Sequence, residues 1–332
     1  MFRLLSVLVL SLAVSSQAGA EGKIKNGRVG EYFDYGTGYE MPEQPKRKPN
    51  KATLQTYLQR YIDEKFRFLG FQISPSSQPY EFEYNLREEK VIKEQLKNTA
   101  LLSYLLYEDG KIVVDELTPK DRFGSQVNNN TALPSRSIGK SFTSYLLAHA
   151  ICSGYIESVD AKIDDWDLIK GTVYEGQALI DLVNMRAGDQ EFAYTNRLYF
   201  PDTSEENIRF QPLALTYKRL KNTKPSKRYY NYNDLAVNTV VNYIRYKTGY
   251  RYQEFTTNFL QNKIGIANSF YIKAVDNRRA EKDGVVGLSA TISNFSASRY
   301  DFLRIARSML DDWQNDTCEG KYLKTIFERQ MP

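Results

Sequence analysis

The chain of 332 residues contains a single histidine and only two cysteines. One imidazole cannot build a multi-histidine metal centre, and two thiols cannot form a zinc cluster or a disulfide-dense scaffold. Metal-free chemistry is therefore expected. Long apolar runs are missing after the first 20 residues, so no later segment reaches membrane-spanning length. Charge of one sign is scarce too: Lys and Arg number 45 against 40 Asp and Glu, a bias too weak to imply a nucleic-acid partner. What the sequence has in quantity is aromatic surface, with 25 Tyr and 17 Phe. With 42% hydrophobic residues, this composition excludes wholesale disorder, and the length permits a large buried core.

Residues 1–20 combine Arg3, an apolar stretch from Leu4 to Val14 and small residues at Ala18 and Ala20. This is the pattern of a secretory signal peptide cut before Glu21, so the mature protein is expected to be secreted or periplasmic and to lack a membrane span. In that setting Cys152 and Cys318 are able to oxidise, but they lie 166 positions apart and the sequence leaves their pairing open. Oligomeric state is equally open. Residues 21–50 are rich in Gly, Pro and charge and read as a flexible arm. Residues 51–95 read as an N-terminal helix and a connection: Leu54, Tyr57, Leu58, Tyr61, Ile62 and Phe66 recur at helical spacing, and Pro75 and Pro79 prevent regular continuation.

From residue 96 to the last residue the pattern is that of one domain. Ala100 to Tyr107 and Lys111 to Leu117 are strand-like runs joined through Asp109-Gly110, a pair suited to the positive φ angles of a tight hairpin. Ser137 to Cys152 is apolar on nearly all sides, as a helix inside a domain should be. Beyond it, residues 155–283 read as a largely helical lobe with few strand signals. Lys218, Arg219, Lys221, Lys224, Lys227 and Arg228 crowd one stretch, which reads as a solvated loop. Ser298, three residues before Asp301, is suited to cap a final amphipathic helix.

His149 lies 12 residues past Ser137, about 18 Å along a helix axis. It cannot serve that serine, and an imidazole in an apolar helix reads first as a satisfied core residue. A different pair is better placed. In Ser137-Ile138-Gly139-Lys140 the hydroxyl and the amine share a helix face one turn apart, at a helix N-terminus whose amides favour negative charge.

The surroundings of this tetrapeptide resemble the serine β-lactamase and penicillin-binding-protein superfamily, in its class C, esterase and aminohexanoate-oligomer-hydrolase branches. The resemblance runs from about Ala100 to Trp313 and consists of ordered elements. A tight hairpin precedes Ser-x-x-Lys; Gly154 closes the buried helix; Leu179 to Gly188 resembles a Leu-rich segment ending near Ser-Gly. A Tyr-x-Asn motif then opens a helix ending in Thr248-Gly249, and Val286-Gly287-Leu288-Ser289-Ala290-Thr291 resembles a Gly-Gly-Leu segment. Tyr229-Tyr230-Asn231 is the literal Tyr-x-Asn, but Tyr232 stands 17 residues before Gly249, the spacing found in relatives. Tyr232 is therefore expected to be the functional phenol.

That register puts Asp234 where relatives carry a neutral Asn or Ser. Holding a lysine neutral near pH 7 costs about 4–5 kcal/mol, and a nearby carboxylate works against it. Asp234 either points away from Lys140 or is offset by the basic loop at 218–228, and it belongs with the substrate-binding side of the site. Lys247-Thr248-Gly249 matches the letters of the family's third motif but reads as a Gly-capped helix end. The true third motif is expected well after Gly287, where no strand run is evident, so the chain reads as cut short, with the C-terminal strands missing.

The resemblance implies an α/β (α+β) fold, a β-lactamase/transpeptidase-like sheet flanked by helices with an inserted helical lobe. It further implies a metal-free serine hydrolase acting on a small-molecule or peptide substrate. Ser137 would attack a carbonyl, Lys140 accept its proton and Tyr232 assist the leaving group, through an acyl-enzyme. A β-lactam, a D-alanyl peptide, a linear amide and an ester all remain open. So does a non-catalytic peptidoglycan- or penicillin-binding protein on the same scaffold.

Overall fold

The computed structural model describes residues 70–124, 126–193, 213–274 and 291–330, with Leu58 and Ile62. The signal and arm segments at 1–50 and the Val286 to Ala290 motif lie outside these residues, and of the helix expected near 54–66 only Leu58 and Ile62, both helical, are described. In chain order the strands are β1 (Gly70–Ile73), β2 (Glu83–Tyr84), β3 (Ser103–Glu108), β4 (Lys111–Leu117), β5 (Leu133–Pro134), β6 (Phe270–Ala274) and β7 (Thr291–Ala297). The longer helices are α1 (Lys90–Asn98), α2 (Ile138–Cys152), α3 (Leu213–Arg219), α4 (Leu235–Lys247), α5 (Tyr252–Asn258), α6 (Arg299–Gln314) and α7 (Cys318–Glu328).

The described residues fall into two compact units. The first takes residues 80–133 and 298–303 with Leu58 and Ile62. Its three-stranded sheet has the order β2-β4-β3, with β3 and β4 antiparallel. Asp109 and Gly110 make the hairpin turn at φ 48° and 83°, values that Gly takes without penalty and Asp tolerates better than most residues. Leu58, Phe123 and Val127 form a small core packed by Ile62, Leu102, Leu117 and Leu133. The Arg299 guanidinium, 4% exposed, is fully employed. It donates to Asp115 Oδ1 (2.6 Å), Asn129 Oδ1 (2.9 Å), Ser103 Oγ (2.6 Å) and the Tyr104 and Glu116 carbonyls (both 3.1 Å). A buried cation is tolerated on such terms because each donor has an acceptor. Next to it, Ser298 caps the start of α6: its Oγ accepts from the Asp301 backbone N–H (3.2 Å) and its hydroxyl donates to Asp301 Oδ2 (2.7 Å).

The second unit comprises residues 70–79, 134–297 and 304–330 among those described. Its sheet has the order β1-β6-β7-β5, with β6 antiparallel to both β1 and β7. Two expectations are corrected here. The segment expected to be helical holds a strand, β6, and a second strand, β7, lies after Gly287 where none was evident. Neither strand carries a strong period-two signal. Phe270, Ile272 and Phe295 supply much of the burial, while β7 has Ile292 and Phe295 three positions apart among Thr, Ser, Asn and Ala, so pairing and not local propensity makes these residues extended.

Helix α2 runs through this unit. Phe142 meets Phe295, Phe270 and Phe259 at centroid distances of 5.0, 5.7 and 6.2 Å, and Tyr145, Leu146, Leu147, Ala148 and Ala150 are fully buried. Its far end is held by charge. The Tyr145 hydroxyl donates to Asp312, whose other oxygen accepts from Thr317 Oγ1 (2.8 Å) and Lys263 Nζ (3.0 Å). Lys263 also lies 3.4 Å from Glu319, and Glu319 meets His149 Nδ1 at 3.0 Å. His149 is thus a partnered, part-buried residue 3.0 Å from a carboxylate, its ring tilted against that of Phe259 at a centroid distance of 4.6 Å. One turn on, Cys152 is bonded to Cys318, closing the pairing that the sequence left open.

Two stability measurements follow. The His149 contact, aided by Lys263, holds the Glu319 carboxyl down at about 2, below the usual 4.5. A depressed carboxylate stabilises the fold above its unfolded value, and that stability is lost as the pH falls. Unfolding free energy is therefore expected to drop by about 3 kcal/mol between pH 4.5 and 2, and Glu319→Gln should flatten that part of the curve in denaturant titrations. The disulfide closes a loop spanning 166 residues; replacing both cysteines with Ser is expected to cost about 2–5 kcal/mol, read from the same titrations.

Candidate active site

The start of α2 is set by the residues just before it. Ser135 is stitched to β7 twice: its N–H donates to the Phe295 carbonyl (2.7 Å) and its Oγ accepts from the Phe295 N–H (3.0 Å). Arg136 then adopts φ 48°, a left-handed conformation that costs a non-glycine residue about 1–2 kcal/mol. This single reversal turns the chain from extended into helical geometry, and strain of this kind clusters at functional sites. Ser137 follows as the N-cap residue, exposed, with its side chain making no capping hydrogen bond. Its hydroxyl is therefore not consumed by the helix it begins. Lys140, one turn on, is 9% exposed.

Lys140 is met by the segment that leads into α4. Its Nζ pairs with Asp234 Oδ1 and stands 4.8 Å from the centre of the Tyr232 ring. Of the two ways to accommodate Asp234, pointing away is therefore excluded: the carboxylate engages the amine directly. Tyr232 is 43% exposed, and Tyr229 and Tyr230 are more so. The structure thus brings Lys140, Tyr232 and Asp234 together, one helical turn from Ser137.

The Tyr232 segment is fastened from beneath. The Ser226 N–H donates to the Gly188 carbonyl (2.9 Å) and the Asn231 N–H to the Met185 carbonyl (2.8 Å). Gly188 sits at φ 68°, and a Cβ there would lie 2.6 Å from the Ser226 carbonyl oxygen. Asn233, buried between Tyr232 and Asp234, accepts the Ala236 N–H (3.0 Å) and so caps α4; it donates to the Asn231 carbonyl (2.9 Å) and to Asp189 Oδ1 (3.2 Å). Asp189 is fully buried and also accepts from the Tyr174 hydroxyl at 2.6 Å. Burial pushes its carboxyl above the usual range.

Asn233, Asp189 and Arg136 are residues that sequence reasoning passed over. Asn233 carried one signal, an Asn immediately before a helical period, which is a capping position. Lys247-Thr248-Gly249 closes α4: the Gly249 N–H donates to the Tyr246 carbonyl and Lys247 Nζ pairs with Asp165 at 2.7 Å. The basic stretch is partly structured, its first residues ending α3 and Arg228 pairing with Asp181. Among the described residues no cluster of three or more His, Cys, Asp or Glu is arranged to hold a metal ion, and no described helix is long and apolar enough to cross a membrane. A shallow depression of about 430 Å³ lined by Arg251, Gln253, Glu254, Thr257 and Asn258 shares no residue with the Lys140 cluster.

No model of a protein family matches the chain, and no curated protein sequence matches it. Solved structures do. A putative 6-aminohexanoate-dimer hydrolase from Bacillus anthracis superposes with a TM-score of 0.57 at 15% identity, over 80% of this chain and 74% of the other. FmtA from Staphylococcus aureus gives a TM-score of 0.45 at 16% identity, over 76% of this chain and 72% of the other. The chain thus shares its fold, small sheets flanked by helices, with that putative hydrolase structure.

The close approach at Gly188 makes it the most sensitive backbone position beneath the site. Gly188→Ala is expected to lower unfolding free energy by about 1–3 kcal/mol, measured by thermal unfolding, because both the positive φ and the Ser226 carbonyl oppose a Cβ.

Proposed function

We propose that the protein is a secreted or periplasmic serine hydrolase that works through an acyl-enzyme. Ser137 is the nucleophile, Lys140 the group that takes its proton, and Tyr232 the phenol that returns a proton to the leaving group. The observation that carries this reading is the meeting of Lys140 with Tyr232 and Asp234 one turn from an uncommitted Ser137 hydroxyl. Lys140 and the Tyr232–Asp234 segment, more than 90 positions apart in sequence, have no structural need to meet on a partly exposed surface. The shared fold with a putative hydrolase supports it, and that protein's name favours a linear amide over an ester or a β-lactam. The Cys152–Cys318 bond suits an oxidising compartment.

One observation favours the rival reading of a non-catalytic binding protein: Lys140 is held by a carboxylate. The amine proposed as general base is committed to that ion pair, an arrangement that a site built only for binding accommodates without further demands.

A fluorophosphonate probe and a fluorescent penicillin separate the two. Covalent labelling at Ser137, located by peptide mass spectrometry and absent in Ser137→Ala, is the result expected of the enzyme. Labelling absent from the wild-type chain at all pH values is the result expected of the binder. Given labelling, Tyr232→Phe should slow it by about 10²–10⁴-fold while Tyr229→Phe leaves it unchanged; the reverse would move the phenol's role to Tyr229. In Asp234→Asn the acid limb of the labelling-rate profile should move to lower pH, and an unmoved limb would mean that the carboxylate does not govern Lys140.

A further inference from the structure

One short stretch of sequence supplies both groups that Lys140 meets, and it is not held in place by its own exposed side chains. Tyr232 is 43% exposed, and an exposed ring on a segment without helix or strand has little to fix its position. Asn233, between the two functional positions, is only 4% exposed. An unpaired amide at that depth costs about 1–3 kcal/mol, yet this one has three partners: Asp189 Oδ1, the Asn231 carbonyl and the Ala236 N–H. Asp189 is itself fully buried, with the Tyr174 hydroxyl 2.6 Å from its second oxygen, and Tyr174 is also without solvent exposure. A buried carboxylate is expensive unless its oxygens are occupied. Here Tyr174 occupies one oxygen, and the one residue that separates Tyr232 from Asp234 occupies the other.

We propose that Asp189 and Asn233 are positioning residues: the buried Tyr174–Asp189–Asn233 chain locks the Tyr232-Asn233-Asp234 tripeptide so that ring and carboxylate are both delivered to Lys140. The inference rests on the reading of Ser137, Lys140 and Tyr232 as the reacting groups, but its geometry does not. Alternation does the work. Side chains of neighbouring residues in a non-helical segment diverge, so fixing Asn233 downwards into the protein turns its two neighbours towards the other side, where Lys140 lies. The same amide caps α4, so the helix that follows and the tripeptide that precedes it share one anchor.

The test uses the full chain and reads Lys140 directly. Brief treatment with acetic anhydride at fixed pH, followed by peptide mass spectrometry, gives the acetylation rate of each lysine. In the wild type Lys140 is shielded by its partners, whereas Lys111, 46% exposed, serves as the internal reference. Asp189→Leu and Asn233→Leu are expected to raise the Lys140 rate relative to Lys111 by about tenfold, through local opening of the tripeptide. Asp189→Asn, which keeps an acceptor for the Tyr174 hydroxyl, should recover most of the protection. An unchanged Lys140 rate in both Leu variants would overturn the proposal, leaving Asp189 and Asn233 as fold elements only. If the Leu variants do not fold, seen as all lysines reacting together, Asn233→Ser gives the same readout: raised Lys140 reactivity supports the proposal and unchanged reactivity overturns it. Fluorophosphonate labelling of the same samples separates the two levels. A wild type that never labels at Ser137 defeats the hydrolase reading, and the lysine rates still decide the positioning role.

Discussion

The Asp312 carboxylate, 5% exposed, joins four elements of the second unit. It accepts from Tyr145 in α2, from Lys263 in the helical turn after α5, and from Thr317 just before α7, while itself standing on α6. A charge at that depth is stable only while its donors remain, and removing one leaves a penalty of several kcal/mol. The elements around it are therefore bound to one another by an all-or-none condition. Hydrophobic burial makes α2 stay inside; this carboxylate decides its depth and rotation. Because Ser137 and Lys140 sit on the same rigid rod, one to two turns before Tyr145, their position is inherited from that junction.

The second buried carboxylate, Asp189, obeys the same rule on a smaller scale. It fixes an irregular segment where α2 alone could not, because loops have no ladder of their own to hold them. Together the two junctions explain how a surface-exposed cluster of Lys140, Tyr232 and Asp234 acquires a defined geometry. One partner arrives on a helix anchored by Asp312, and the other two arrive on a loop anchored by Asp189. The ion pair then closes the cluster, at the expense of placing an acid beside an amine that the proposed chemistry needs as a base.

Much of this was legible in the residues and some was not. The hairpin at Asp109-Gly110, the buried helix from Ser137, the cap at Ser298 and the helix end at Gly249 each rest on short-range chemistry, and each stands where local pattern placed it. Strand β7 was invisible because its two large apolar residues, Ile292 and Phe295, do not alternate among the small polar ones; pairing with Ser135 and β6, which lie far away in sequence, makes the segment extended. The Cys152–Cys318 bond was undecidable for the same reason, since nothing local tells two thiols 166 positions apart that their backbones come within 5.8 Å. The meeting of Lys140 with Tyr232 could be anticipated from spacing to Gly249. Asp189 could not: a lone acid after a glycine has no sequence signature, and its importance arises from burial.

The covalent bond between α2 and α7 also has a topological meaning. Ser137 and Lys140 lie just before the loop that it closes, and Tyr232 and Asp234 lie within it. A protease that severs any one peptide bond between Cys152 and Cys318 would leave two fragments still tied together at the buried end of α2. Helix α2 would keep its grip on the far piece. Nicked and intact forms would thus differ in mass only by the one water added at the cut until the sulfur bridge was opened.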